Sequence, residues 1–208
     1  TCQKMKKLIS ITLIVFALNF SSAQEVYLNV GRNFTTYDYT NSQGENNPNV
    51  EPSNGAFYEV GYVFPMGDKF GIATGIALDQ FNATGGNLVN NYSWNTNYLG
   101  LQGVAKYKVL DADRSPISVN LSAGINFNHI VSGEQKINGQ TFNLTDEKEF
   151  KGVFFKPMIG VDVQYFLLDN MAVCFGYRFS KNFGLSSGDE DLNFNNRQLQ
   201  FGISISLN

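Results

Sequence analysis

Ile117-Ser118-Val119-Asn120-Leu121-Ser122-Ala123-Gly124-Ile125-Asn126-Phe127-Asn128 alternates apolar and polar or small residues without a break. Successive side chains of an extended strand point to opposite faces, so the odd-numbered residues share one face and the even-numbered ones the other. Residues 196–207 repeat the pattern, with Leu199, Phe201, Ile203, Ile205 and Leu207 against Gln198, Gln200, Gly202, Ser204 and Ser206. Residues 171–182 set Val173, Phe175, Tyr177 and Phe179 against Cys174, Gly176, Arg178 and Ser180. Working outward from these, period-two alternation predicts eight strands, at about 25–38, 56–65, 69–81, 94–109, 116–130, 150–166, 171–182 and 196–207. No helical period of useful length follows Gln24.

The connections alternate too. Residues 66–68, 110–115 and 167–170 are short, whereas 39–55, 82–93, 131–149 and 183–195 are long and rich in Asn, Gly, Ser and acids. That rhythm predicts an all-β, eight-stranded, antiparallel up-and-down barrel with two unlike ends. Composition agrees: among 208 residues only 16% are charged and 14% aromatic, with 20 Gly and a mean hydropathy of −0.17. Such a chain is neither a bundle of apolar helices nor a disordered tail.

Met5-Lys6-Lys7, the apolar run Leu8 to Phe20 and Ser21-Ser22-Ala23-Gln24 have the order and lengths of a signal peptide cleaved after Ala23. Residues 1–23 are therefore read as an upstream extension and signal, and 24–208 as the barrel domain. Removing Lys4, Lys6 and Lys7 leaves 12 basic and 18 acidic residues, a balance that disfavours nucleic acid as a partner. Cys174 then stands without a disulfide partner and is expected to be buried in a strand.

Alternation does not say which face meets water. A soluble, lipocalin-like barrel would turn the apolar face inward, around an apolar ligand, and crowd its outer face with Lys, Glu and Thr. Here the polar face is mostly Gly, Ala, Ser, Asn and Gln, which suits the cramped interior of an eight-stranded barrel. The apolar face is therefore expected outside, against lipid, where only a closed barrel satisfies every backbone group of a spanning strand. Phe64, Phe70, Tyr107 and Tyr165 lie on that face beside the short turns, and Tyr58, Phe127, Phe155 and Phe179 lie on it toward the long loops. Two such belts are the aromatic girdles expected at the two membrane interfaces. Arg32 falls in phase with Val26, Leu28 and Val30, which a bulge or the end of the membrane span would explain.

With the signal segment, the eight strands and Gly176-Tyr177-Arg178-Phe179 in view, the chain resembles the small outer-membrane β-barrel proteins, OmpA-like, OmpX-like and PorT-type. The last segment matches their aromatic–Arg–aromatic strand, with the Arg turned into the lumen. The resemblance implies a bacterial outer-membrane location, short periplasmic turns and long outer loops. It implies as partners outer-membrane lipid, lipopolysaccharide and the barrel-assembly machinery, with a further extracellular partner through the loops and a monomeric state. The resemblance is to the barrel part alone, so no peptidoglycan-binding domain is expected, and Leu207-Asn208 stands where such barrels commonly finish on an aromatic.

Glu59, Asp79, Lys106, Lys156, Asp162 and Arg178 fall on the lumen face. Counted from the nearest short turn they match in height as Glu59 with Arg178, Asp79 with Lys156 and Lys106 with Asp162, a salt-bridge network that would hold the barrel rigid. A gated proton or ion path is the alternative use of the same charges. His129, near Ser132 and Glu134, is the one place where a hydrolase could be sought. Ser187-Gly188-Asp189-Glu190-Asp191 lacks the ligand spacing of a dedicated calcium loop. No phosphate loop, dinucleotide fingerprint or C-x-x-C pair occurs, and no cofactor, metal or catalysis is expected. The function expected is structural support of the envelope, or adhesion and ligand contact through four outer loops. A secreted soluble barrel, a narrow channel and a secretion-apparatus subunit are the alternatives.

Overall fold

The structure, a computed structural model, describes residues 24–40, 50–86, 91–111, 115–147, 150–185 and 191–207. The signal-peptide reading, the acidic segment 187–190 and Asn208 lie outside the described residues. The strands are β1 (Gln24–Thr40), β2 (Val50–Pro65), β3 (Phe70–Gly86), β4 (Asn91–Leu110), β5 (Ile117–Ile137), β6 (Gln140–Asn143), β7 (Val153–Leu168), β8 (Met171–Gly184) and β9 (Asp191–Leu207). All pairings are antiparallel, and β1 with β9 and β4 with β5 close eight strands into a barrel. β6 pairs with β5 alone, as the return arm of a hairpin.

Each predicted strand is present, but most run further toward the long-loop end. β2 starts at Val50 instead of 56, β3 continues to Gly86 instead of 81, and β9 starts at Asp191 instead of 196. Residues 131–149 are not a simple loop: Val131–Ile137 prolong β5 and Gln140–Asn143 return along it. The turn between them is Asn138-Gly139, with φ of 49° and 86°. Positive φ at both positions gives the mirror-image turn that fits strand twist and that Asn-Gly favours. No bulge occurs at Arg32, whose strand keeps register with both β2 and β9.

Exposure is inside out. Leu101 is 66% exposed, Ile159 62% and Phe201 54%, whereas Asp79, Asn33 and Asn126 are wholly buried. The apolar face thus lies outside at mid-barrel, as alternation together with side-chain size implied.

Register fixes the shape. A row of directly opposed residues leaves β5 at Phe127 and passes Leu101, Ile76, Val60 and Leu28. It continues through Ile203, Val173 and Tyr165 and returns to β5 at Ile117, ten residues lower. Ten residues of stagger over eight strands tilt each strand about 40° from the barrel axis. Correcting for that stagger puts Tyr58, Phe127 and Phe179 at one level, with Phe155 just above it, and Phe64, Phe70, Tyr107 and Tyr165 at a second. The levels are roughly 20 Å apart along the axis, close to the height of a membrane barrel's apolar band. Arg32 and Arg197 share the upper level, so Arg32 marks the end of the apolar band.

Above that level the two faces exchange character. Tyr37, Phe81, Tyr98, Ile130, Phe154, Leu192 and Phe194 point inward and are buried, joined by Leu144 and Phe150 from the segment after β6. The outward positions there carry Thr36, Asp38, Gln80, Asn82, Asn95, Asn97, Ser132 and Glu134. β1 makes this change without a bulge: Leu28 and Val30 face outward below, while Tyr37 faces inward above. The molecule is a membrane barrel continued upward as a water-soluble one.

The outer face gives a direct test. Phe201 is midway between the two levels, four residues below Arg197 on the same face of β9. Phe201→Arg is expected to destabilise the folded barrel by about 2–4 kcal/mol, as arginine does at a bilayer midplane. Urea titration in phospholipid vesicles measures it.

Candidate functional site: the barrel lumen

Among the described residues, facing strands turn buried side chains into the lumen from the level of Tyr27 up to that of Phe194. In the lower half of the lumen Tyr27, Val63, Ala73 and Val104 form a small apolar cluster, which Met158 joins from higher on β7. Lys106 lies over the Tyr27 ring, 5.1 Å from its centroid. Above them Arg178 Nη1 reaches Glu59 Oε2 at 2.7 Å, both side chains at most 3% exposed. Gln102 Nε2 donates to the other oxygen of Glu59. On the next level Lys156 pairs with Asp79, again almost wholly buried. Asn33 Nδ2 donates to Asp79 Oδ1 at 3.0 Å and Asn196 Nδ2 to Asn33 Oδ1 at 3.0 Å, tying β1, β3 and β9 together.

Lys156 also touches the aromatic layer, with its Nζ 5.6 Å from the centre of the Phe81 ring. Phe194 is the hub of that layer, with ring centroids 4.6 Å from Tyr37, 5.3 Å from Phe81, 5.7 Å from Tyr98 and 5.4 Å from Phe154. The Tyr37 hydroxyl donates to the Phe81 carbonyl at 3.0 Å, which satisfies the one polar group the ring carries into the layer.

Of the three charge pairs expected from height, two sit together in this way. Lys106 and Asp162 do not pair. They lie at similar heights but on β4 and β7, with β5 between them. Asp162 leans the other way, into space left by Gly176, and accepts from Gln200 Nε2 at 2.6 Å. Gln200 in turn accepts from Gln198 at 2.9 Å. Gly160 gives Arg178 comparable room, since a Cβ there would stand 2.7 Å from Arg178 Cγ. Cys174 faces the lumen half-buried, with Sγ 3.8 Å from Ser204 Oγ. The layer of aromatic side chains above the charges was missed in the sequence reading.

The girdle residues face outward as expected, Tyr58, Phe70, Tyr107, Phe127, Tyr165 and Phe179 exposed and Phe64 and Phe155 half-buried. Phe127 and Phe155 pack together at 5.4 Å. His129 points outward on β5, with Nδ1 2.6 Å from the Gly152 carbonyl. Ser132 Oγ accepts from Asn97 Nδ2 at 2.9 Å, so no His–Ser or His–acid couple forms. Among the described residues no group of three or more His, Cys, Asp or Glu could hold a metal ion.

A closed barrel with charges inside and a bare aliphatic wall outside is a protein built for lipid, and the family model described as outer membrane protein beta-barrel domain matches residues 8–206. The chain belongs to that family. No curated protein matches it. Among solved structures it is similar to the outer membrane protein OprG from Pseudomonas aeruginosa, with 10% identity, a TM-score of 0.57, and coverage of 89% of this chain and 96% of that one. The outer membrane protease OmpT from Escherichia coli is similar at 8% identity and a TM-score of 0.51, covering 89% and 97%. Neisserial surface protein A follows at 12% identity and a TM-score of 0.48, covering 88% and 97%. At these identities the likeness is one of fold. The family indicates the bacterial outer membrane.

Proposed function

We propose that this outer-membrane barrel neither conducts nor catalyses, and that it serves the envelope by stiffness and by contact through its outer rim. The observation that carries this reading is the filled lumen. Two buried ion pairs lie one above the other, Arg178 with Glu59 and Lys156 with Asp79, and the aromatic layer caps them. An ion would have to displace charged groups already matched to each other, and eight strands leave no water channel beside them. An apolar ligand, as in a soluble carrier, would find polar pairs where its cavity should be.

The rim fits a contact role. Strands rising above the upper aromatic level present Asn, Gln, Ser and Thr outward on a rigid support, so a partner meets a surface already ordered. The same reading makes the barrel a monomer, inserted by the barrel-assembly machinery and surrounded by lipopolysaccharide.

Planar-bilayer recording tests it. Wild type and Arg178→Ala are both expected to stay closed, and discrete openings in wild type would end the non-conducting reading. Fractionation adds a second arm: the protein should migrate anomalously unless boiled and should partition with outer membranes, and release without detergent would favour the soluble carrier.

A further inference from the structure

The hairpin of β5 and β6 turns on Asn138 and Gly139 alone. Ile137 lies opposite Gln140 and Gln135 opposite Phe142, and the Leu144 amide donates to the Gly133 carbonyl at 2.9 Å. In such a two-residue turn the ladder bonds join the flanking pair, so the Gly139 N–H lies outside the ladder. Asn138 is tied instead to the start of β4. Its own amide donates to the Asn91 carbonyl at 3.1 Å, and its Oδ1 accepts from the Asn91 amide at 3.0 Å. A Cβ added at Gly139 would meet nothing within 4 Å among the described residues. An unshielded backbone nitrogen therefore follows directly on a side-chain amide whose carbonyl oxygen already carries a donor.

These are the parts of an intramolecular acyl transfer. The Gly139 nitrogen, having given its proton to hydroxide, attacks Asn138 Cγ and closes a five-membered ring. Oδ1 takes up the electron pair, and the Asn91 N–H aimed at that oxygen stabilises the charge as it develops. The oxyanion then re-forms its carbonyl and expels Nδ2, which takes a proton from water, leaves as ammonia and returns the hydroxide. A water molecule opens the cyclic imide at either carbonyl, giving aspartate or isoaspartate at position 138.

The same dipeptide occurs once more, as Asn54-Gly55 in β2. There the main chain is closed in. A Cβ at Gly55 would stand 2.1 Å from the Gln80 carbonyl oxygen, and the Asn54 carbonyl accepts from Asn82 Nδ2 at 2.9 Å. A strand backbone packed this closely on its neighbour leaves the nitrogen no room to close on the side chain before it.

We propose that Asn138 is a site of self-modification, with Gly139 as the nucleophile and the Asn91 amide as the oxyanion donor, so that the rim changes with the age of the molecule. Either product adds a negative charge at the hairpin tip. Isoaspartate also adds one atom to the main chain, and the two-residue turn no longer closes in register. Leu144 and Phe150, which follow the hairpin and complete the aromatic layer, then lose the anchor that the bond between Leu144 and Gly133 gives them.

The test follows the refolded full-length barrel in mildly alkaline buffer made with heavy-oxygen water, which labels each opened imide. Heat-modifiable migration is checked first, so that every protein compared is a folded barrel. Peptide mapping by mass spectrometry should find position 138 converted at least about tenfold faster than position 54, since one preorganised donor to an oxyanion is worth that or more. In urea the two positions should convert alike. Asn91→Pro removes the donated N–H and keeps Asn138-Gly139 intact, and should slow position 138 by about tenfold. Equal rates at the two positions in the folded barrel, a difference that survives in urea, or an undiminished rate in Asn91→Pro overturns the assignment. Hydrogen exchange then separates added charge from added chain length. The Leu144 amide should exchange faster in the isoaspartate fraction than in Asn138→Asp, and equal exchange overturns the loosening of the hairpin.

Discussion

Arg178→Met is expected to lower the unfolding free energy of the lipid-embedded barrel by about 3–5 kcal/mol, because it leaves Glu59 charged and buried without its partner. Glu59 would keep the Gln102 amide as a donor, but one hydrogen bond to a charged carboxylate is worth only about 1.5–3 kcal/mol net, less than the cost of leaving the charge buried and unpaired. Glu59→Gln in the same background should recover much of the loss, since the uncompensated charge is then gone. The double variant would therefore be more stable than the sum of the singles predicts, which is the signature of a coupled pair. Denaturant titration of both variants in the same vesicles measures it. A loss within about 0.5 kcal/mol of zero for Arg178→Met, the range of ordinary surface changes, would show that water reaches the carboxylate and that the lumen is not sealed at that level.

Phe194→Ala should cost as much, about 3–5 kcal/mol, although Phe194 lies above the lipid. Its ring touches four others, so truncation opens a cavity at the centre of the layer that no single neighbour can fill. Phe194→Leu keeps most of the volume and should cost under about 1.5 kcal/mol. Circular dichroism in a denaturant series reads both. If the strand extensions were loosely packed loops, both substitutions would fall near zero.

These two sites also mark where the amino-acid sequence is readable. The lipid band was legible because its alternation is strong and its small polar residues exclude a wet outer face, as in Ile117 to Asn128. Counting height from the short turns placed Glu59 level with Arg178 and Asp79 level with Lys156, since the stagger shifts each strand by just over one residue. The same count placed Lys106 level with Asp162, but height does not say which way a side chain leans, and Gly176 draws Asp162 toward β9. The upper barrel was read as loops because its apolar residues are spaced by Asn, Ser and Gly. Two signals were present nonetheless. Asn138-Gly139 marks a tight hairpin, and Trp94 and Tyr98 run in the opposite phase to Leu99 and Leu101 on the same strand. A change of phase is easily taken for the end of a strand when it is the end of the lipid.

That change of phase also sets the depth at which the protein floats. A barrel whose outer face stayed aliphatic along its whole length could slide along the membrane normal at little cost. This one is held from both sides. Moved inward, it would drag Asp38, Lys181 and Asn195 into hydrocarbon; moved outward, it would bare Leu28, Val60 and Phe201 to water. The level of the rim above the bilayer is therefore a property of the chain itself, set to within a residue or two of strand, and whatever meets the rim meets it at a fixed height.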